Sequence, residues 1–149
     1  MDPNLRIAKA MASTLNAAPG STFSHSFNAA GGYFKARKAA VGTGIVVDIA
    51  PVSNTRNEDV DSRGLEARTR SFSVVVREQH TDDPTEEAVG RAPELANELM
   101  AYLRENAIGL DVSWLGDDQD LVLDPAELQS SNQSRSTFSI EYVTGREVT

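Results

Sequence analysis

Residues 65–106 read LEARTRSFSVVVREQHTDDPTEEAVGRAPELANELMAYLREN, and within this one stretch the hydrophobic period changes from two residues to about 3.6. In the first half Phe72, Val74 and Val76 share one face, with Arg70, Ser71, Ser73 and Arg77 around them. Alternation in a β-branched run predicts a half-buried strand over Leu65 to Gln79. In the second half Ala88, Val89, Ala92, Leu95, Ala96, Leu99, Met100 and Leu103 fall on one side of a helix, while Glu87, Arg91, Glu94, Glu98 and Glu105 occupy the other. A strand and a helix that are each apolar on one side bury those sides by packing a helix on a sheet. Asp83-Pro84-Thr85-Glu86 predicts the start of the helix, with an N-cap aspartate, a proline at the first helical position and a glutamate at the third. Pro93 lies inside the apolar stripe, removes a hydrogen bond and crowds the preceding turn, so a kink or a fresh start is expected there. Gly109 is the expected C-terminal cap.

Working upstream, Ile45, Val47 and Ile49 repeat the alternation and stop at Pro51, which predicts a strand paired with Leu65 to Gln79. From Val52 to Gly64 the chain is polar, and this reads as a long loop that projects from the end of a hairpin. Arg56, Glu58, Asp59, Asp61 and Arg63 in that loop are the candidate oligomer-interface residues, since so polar a segment cannot bury enough surface to order itself and can order on a neighbour. Nearer the N-terminus, Asp2 caps an amphipathic helix that begins at Pro3, carries Ile7, Ala8, Met11, Ala12 and Leu15 on one side, and ends at Ala18-Pro19-Gly20. Phe23, His25 and Phe27 alternate as a strand would, Gly31-Gly32 reads as a turn, and Tyr33 to Lys38 as a partner strand.

Downstream, short strands are expected at Asp111 to Leu115, Leu121 to Leu123 and Thr137 to Val143, the last with Phe138, Ile140 and Tyr142 on one face. Asp124-Pro125-Ala126-Glu127-Leu128 reads as a turn followed by one helical turn, and Gln129 to Arg135 as a polar connection. The order lacks βαβα alternation. It predicts an α+β fold, a largely antiparallel sheet with the N-terminal helix and one long central helix packed on it.

A chain of 149 residues suits one domain over 1–149. No run of about 18 apolar residues occurs, so a membrane span is not expected; Met-Asp-Pro-Asn is no signal-peptide start, and a cytoplasmic setting is expected. Having no cysteine, the chain has no disulfide, thiolate nucleophile, zinc finger or iron–sulfur ligation. The net charge of -8 is uneven: Glu78 to Glu127 holds fourteen acidic residues against Arg91 and Arg104, a balance of -12, and the rest holds twelve basic against eight acidic, a balance of +4. So acidic a segment repels phosphate, which argues against sequence-specific nucleic-acid binding.

The residues that could carry chemistry are few. His25 and His80 lie in different elements and form no triad. Gly42-Thr43-Gly44 precedes a strand rather than a helix and so lacks the helix N-terminus that holds phosphate. Gly116-Asp117-Asp118-Gln119-Asp120 lacks the spacing of a calcium loop and reads as a solvated turn. Glu87, Glu94, Glu98 and Glu105 have no buried neighbour to raise a pKa. Lys35 and Arg37 could meet an acidic partner, an ordinary charged face being the alternative. No catalytic residue, cofactor or metal ligand is expected, and the chain is read as no enzyme.

Taken together, the helix around Leu5 to Leu15, Ile45-Val46-Val47-Asp48-Ile49 ending at proline, the polar loop, Arg70 to Arg77, the helix to Asn106, Asp124 to Leu128 and the closing Phe138-Ser139-Ile140-Glu141-Tyr142 resemble the tail-terminator (tail-completion) proteins of long-tailed bacteriophages. The resemblance covers nearly the whole chain as a pattern of elements without a diagnostic motif. It implies a virion structural protein of the tail or neck, assembled in the host cytoplasm as a homo-oligomer, a hexameric ring. Such a ring caps the tail tube, ends its polymerisation and takes the head–tail connector or stopper protein, with DNA passing through it unread. Another phage neck, head–tail joining or tail-tube protein is the nearest alternative. A small-molecule binding module, or an enzyme working through backbone and carboxylates, is a more distant one.

Overall fold

The alternation of Phe72, Val74 and Val76 becomes the middle of a sheet. The computed structural model describes residues 2–33, 44–60 and 66–144, of which 55–60 and 66–67 are described as backbone. Its elements are α1 (Pro3–Asn16), β1 (Phe27–Gly31), β2 (Ile45–Val60), β3 (Glu66–Gln79), α2 (Glu86–Glu105), β4 (Val112–Leu121), α3 (Pro125–Ser131) and β5 (Gln133–Thr144). The five strands lie in the order β1-β2-β3-β5-β4. β1 runs parallel to β2, and every other pair is antiparallel. The fold is α+β with a largely antiparallel sheet, as the patterning predicts.

Register carries the core across the sheet. Val74 stands opposite Ile49 of β2 and Phe138 of β5, and Phe72 stands opposite Ile140. A side-chain period of two therefore sends the apolar sets of all three central strands to one face. Ile7, Met11 and Leu15 of α1 and Leu95, Leu99 and Leu103 of α2 close over that face in one buried cluster. Gly31 explains how closely α1 lies: a β-carbon there would run into the backbone of Ala8. The glycine expected in a turn thus ends β1 and serves a close approach. The opposite face is polar, and at its centre Arg77 and Asp48 form a 2.7 Å ion pair with side chains only 7% and 8% exposed.

Several expectations are corrected. The polar stretch from Val52 is no long loop, because β2 continues to Val60 and pairs with β3 through Asn54↔Arg70, Arg56↔Arg68 and Val60↔Glu66. Cross-strand hydrogen bonds hold an extended backbone without an apolar face, and the shifts between Pro51 and Ser53 and between Arg56 and Val60 mark bulges that absorb the irregular register. The strand expected around Phe23 to Phe27 starts only at Phe27; Phe23 instead stacks edge-on with Phe27 and Tyr102, at 5.3 Å from each. The strand expected from Tyr33 to Lys38 lies, beyond Tyr33, outside the described residues, as do Lys35 and Arg37. The two short strands either side of the acidic run are one strand, β4, which includes Asp117, Asp118 and Asp120. The polar connection 129–135 is divided between α3 and β5.

Helix ends also move. Asp2 caps α1 as expected, its Oδ1 accepting from the Asn4 amide at 2.9 Å. For α2 the cap is Thr85, whose hydroxyl accepts from the Ala88 amide at 3.1 Å, while Asp83 takes a left-handed φ of 55° and belongs to the turn before it. α2 is one helix through Pro93 with no fresh start, and it ends at Asn106 rather than Gly109, whose φ of +83° serves the turn toward β4. Asp124 caps α3, and Asn132, at φ 52°, ends it in the left-handed region that asparagine tolerates.

Candidate assembly surfaces

The sequence placed the oligomer contact on Arg56, Glu58, Asp59, Asp61 and Arg63. The backbone of Arg56, Glu58 and Asp59 belongs to β2, and Asp61 and Arg63 lie outside the described residues. What the structure brings together is a two-stranded arm. β1 accompanies β2 only as far as Ile49, and β5 ends at Thr144 opposite Arg68, so beyond Arg56↔Arg68 the β2–β3 pair has no third strand among the described residues. A paired ribbon holds its direction better than a loop would, because each residue is fixed by a neighbour across the ladder.

The two outer edges of the sheet differ. At β1 the side chain of Asn16, the last residue of α1, occupies the backbone of Ala29: its Nδ2 donates to the Ala29 carbonyl at 2.8 Å and its Oδ1 accepts from the Ala29 amide at 3.1 Å. A strand cannot add where those groups are already taken. At this end of the sheet α1, which packs on β1 and β2, presents exposed Arg6 and Lys9. At its start the Asp2 carboxyl is held below its usual range by the Tyr33 hydroxyl, which donates to it at 2.7 Å, and by the Asn4 amide.

At the other edge, β4 pairs among the described residues with β5 alone, and its register shifts leave Leu115 and Asp120 as extra residues. Trp114, Leu115, Leu121 and Val122 are 38%, 49%, 37% and 58% exposed along this edge. Alternation separates the carboxylates that the sequence grouped. Asp117 faces Arg104 of α2, accepting two hydrogen bonds at 2.9 and 2.7 Å, and this pairing raises the Arg104 pKa. Asp118 points to the opposite face, and it and Asp120 are exposed. Among the described residues no three acidic or histidine side chains converge as a metal site.

Both histidines have structural partners. His25 Nε2 lies 3.3 Å from Glu94 Oε2. His80 is buried, and its Nε2 lies 2.7 Å from Ser134 Oγ, which donates at 3.0 Å to the carbonyl of Val89. Val89 is four residues before Pro93, so this is the carbonyl that the proline leaves without its helical donor. Ser134 restores the missing bond, and because its one proton is used there, His80 Nε2 carries the hydrogen that Ser134 accepts. Burial lowers the His80 pKa from 6.5. Beside it a cleft of about 470 Å³ is lined by Glu78 and Arg91, which bind each other at 3.1 and 2.9 Å. These two charges are thereby turned toward one another. Nothing in the sequence signals the serine, which emerges only when β5 is laid against α2.

No family model matches the chain, and no curated protein matches it by sequence. Among solved structures the chain is similar to the sheath/tube terminator of PVC, an extracellular contractile injection system, determined by electron cryo-microscopy in the extended state. The identity is 12% and the TM-score 0.45, over 93% of this chain and 55% of the other. The chain thus spans about half the length of that protein.

Proposed function

We propose that this chain is a structural subunit of a phage tail or neck, a tail terminator that assembles into a hexameric ring, caps the tail tube, ends its growth and offers the far face of the ring to the head connector. It does so without a reaction of its own. The observation that carries the reading is the β2–β3 arm, which beyond Arg56↔Arg68 has no third strand among the described residues and is rich in charge in its sequence. A charged ribbon of that form is suited to contact with another molecule, and head-to-tail contacts that close by rotation form rings. Further support comes from the order of elements along the chain, which resembles that of tail terminators, and from two histidines committed to hydrogen bonds within the fold. DNA would pass through such a ring without base recognition. Light scattering coupled to gel filtration, followed by electron microscopy of the protein with purified tail tubes, tests it. The expected result is a mass of six chains and rings on tube ends; a monomer that leaves tubes uncapped would refute the reading.

A further inference from the structure

The two ends of the sheet are unlike in charge, apolar exposure and backbone availability. Two apolar pairs, Trp114–Leu115 on the edge strand and Leu121–Val122 at its end, are exposed on either side of the acidic run, more large apolar surface than an edge usually leaves open. Between the pairs Asp118 and Asp120 are exposed, as are Asp111 just before β4 and Glu105 at the end of α2. At the other end, about 19 Å away across four strand spacings, α1 exposes Arg6 and Lys9, and Asn16 fills the edge of β1.

Within the ring reading, on which this step rests, we infer that the β4 edge of one copy docks on the exposed face of α1 in the next copy. The occupant is a second copy of this chain because the two surfaces are complementary and lie at opposite ends of one sheet. Each copy therefore keeps one of each free for the next neighbour. The contact is made by side chains and does not continue the sheet: Asn16 occupies the receiving strand at Ala29, and the bulges at Leu115 and Asp120 interrupt the hydrogen-bonding pattern of the donating one. The two apolar pairs supply burial, while the carboxylates meeting Arg6 and Lys9 set orientation and reject the reversed, like-charged arrangement.

The test is charge exchange in the full chain, read as the concentration for half-assembly by light scattering at low salt, with circular dichroism as a control for folding. Asp118→Lys with Asp120→Lys, and separately Arg6→Glu with Lys9→Glu, should each raise that concentration by about tenfold or more, and all four together should recover most of the loss. Leu115→Ser with Val122→Ser should weaken assembly at low and high salt alike. Wild-type assembly in both charge-reversed variants would overturn this contact while leaving the ring intact, and so would weakening in both without recovery on combination. A wild-type chain that stays monomeric would instead remove the ring reading itself.

Discussion

Ser134 connects a helix, a strand and a buried imidazole through one hydroxyl, and its removal leaves two buried groups unpaired. Ser134→Ala should cost about 1–3 kcal/mol in a denaturant melt, since both the Val89 carbonyl and the His80 Nε2 hydrogen lose their partner. Adding Pro93→Ala returns an amide donor to that carbonyl, so the proline change should help more in the Ser134→Ala protein than in the wild type. Additive effects would show that the serine does not serve this carbonyl. His80 gives a pH signature from the same place. Its pKa is lowered in the fold, so the unfolded chain takes up the proton first. The stability held above pH 6.5 therefore falls as pH drops from there through the lowered folded value. His80→Gln should flatten the melting temperature over that range, and an unchanged slope would assign the titration elsewhere. Tyr142 offers the opposite case, a hydroxyl buried with no hydrogen-bond partner among the described residues, whose pKa burial raises. Tyr142→Phe keeps the edge-on contact with Phe72 at 6.3 Å and should leave stability unchanged or raise it by about 1 kcal/mol; a clear loss would mean that a water or another chain binds the hydroxyl.

At the scale of the element, α2 depends on packing more than on its own propensity. Thr85 caps it, Glu86 and Glu87 complement its N-terminal dipole and Arg104 its C-terminal one, but Pro93 and Gly90 weaken its middle. The stripe of Leu95, Leu99 and Leu103 on the sheet offsets that cost. Leu99 is fully buried, so Leu99→Ala should destabilise by about 2–5 kcal/mol, and an unchanged thermal melt would contradict its place in the core. The α2–sheet contact is also tied at its rim by Arg91 on Glu78 and Arg104 on Asp117. Both pairs are partly open to solvent, so they serve the register of helix on sheet more than its stability.

For the whole molecule the arm decides. Arg56 and Arg68 are direct cross-strand partners, so joining them through Asn-Gly replaces residues 57–67 by a two-residue hairpin turn and leaves the strands below in register. That protein should melt within about 1 kcal/mol of the wild type, because the three-stranded pairing among the described residues stops at Arg68 and is left in place. It should fail to form rings or to limit tube length. Sedimentation and tube-length counts check this together, and normal rings with normal tubes would take the arm out of assembly.

The sequence by itself determined the class of fold, both major helices and the three apolar strands, because periodicity is a local property that survives wherever one face of an element is buried. Phe72, Val74 and Val76 could only be a strand with one face in a core, and Leu95, Leu99 and Leu103 only a helix laid over it. Segments without that period read as loops in the sequence, and here the tertiary structure decided otherwise. Residues 53–60, and Gly116 to Asp120, are strands because a neighbouring strand supplies hydrogen bonds to their backbones, and a hydrogen-bonded ladder needs no apolar side chain to exist. The same cause hid the candidate surfaces. Trp114 and Leu115 look like any apolar pair until β4 is seen at the edge of the sheet, and Asn16 looks like a helix-ending residue until β1 is seen to lie against it.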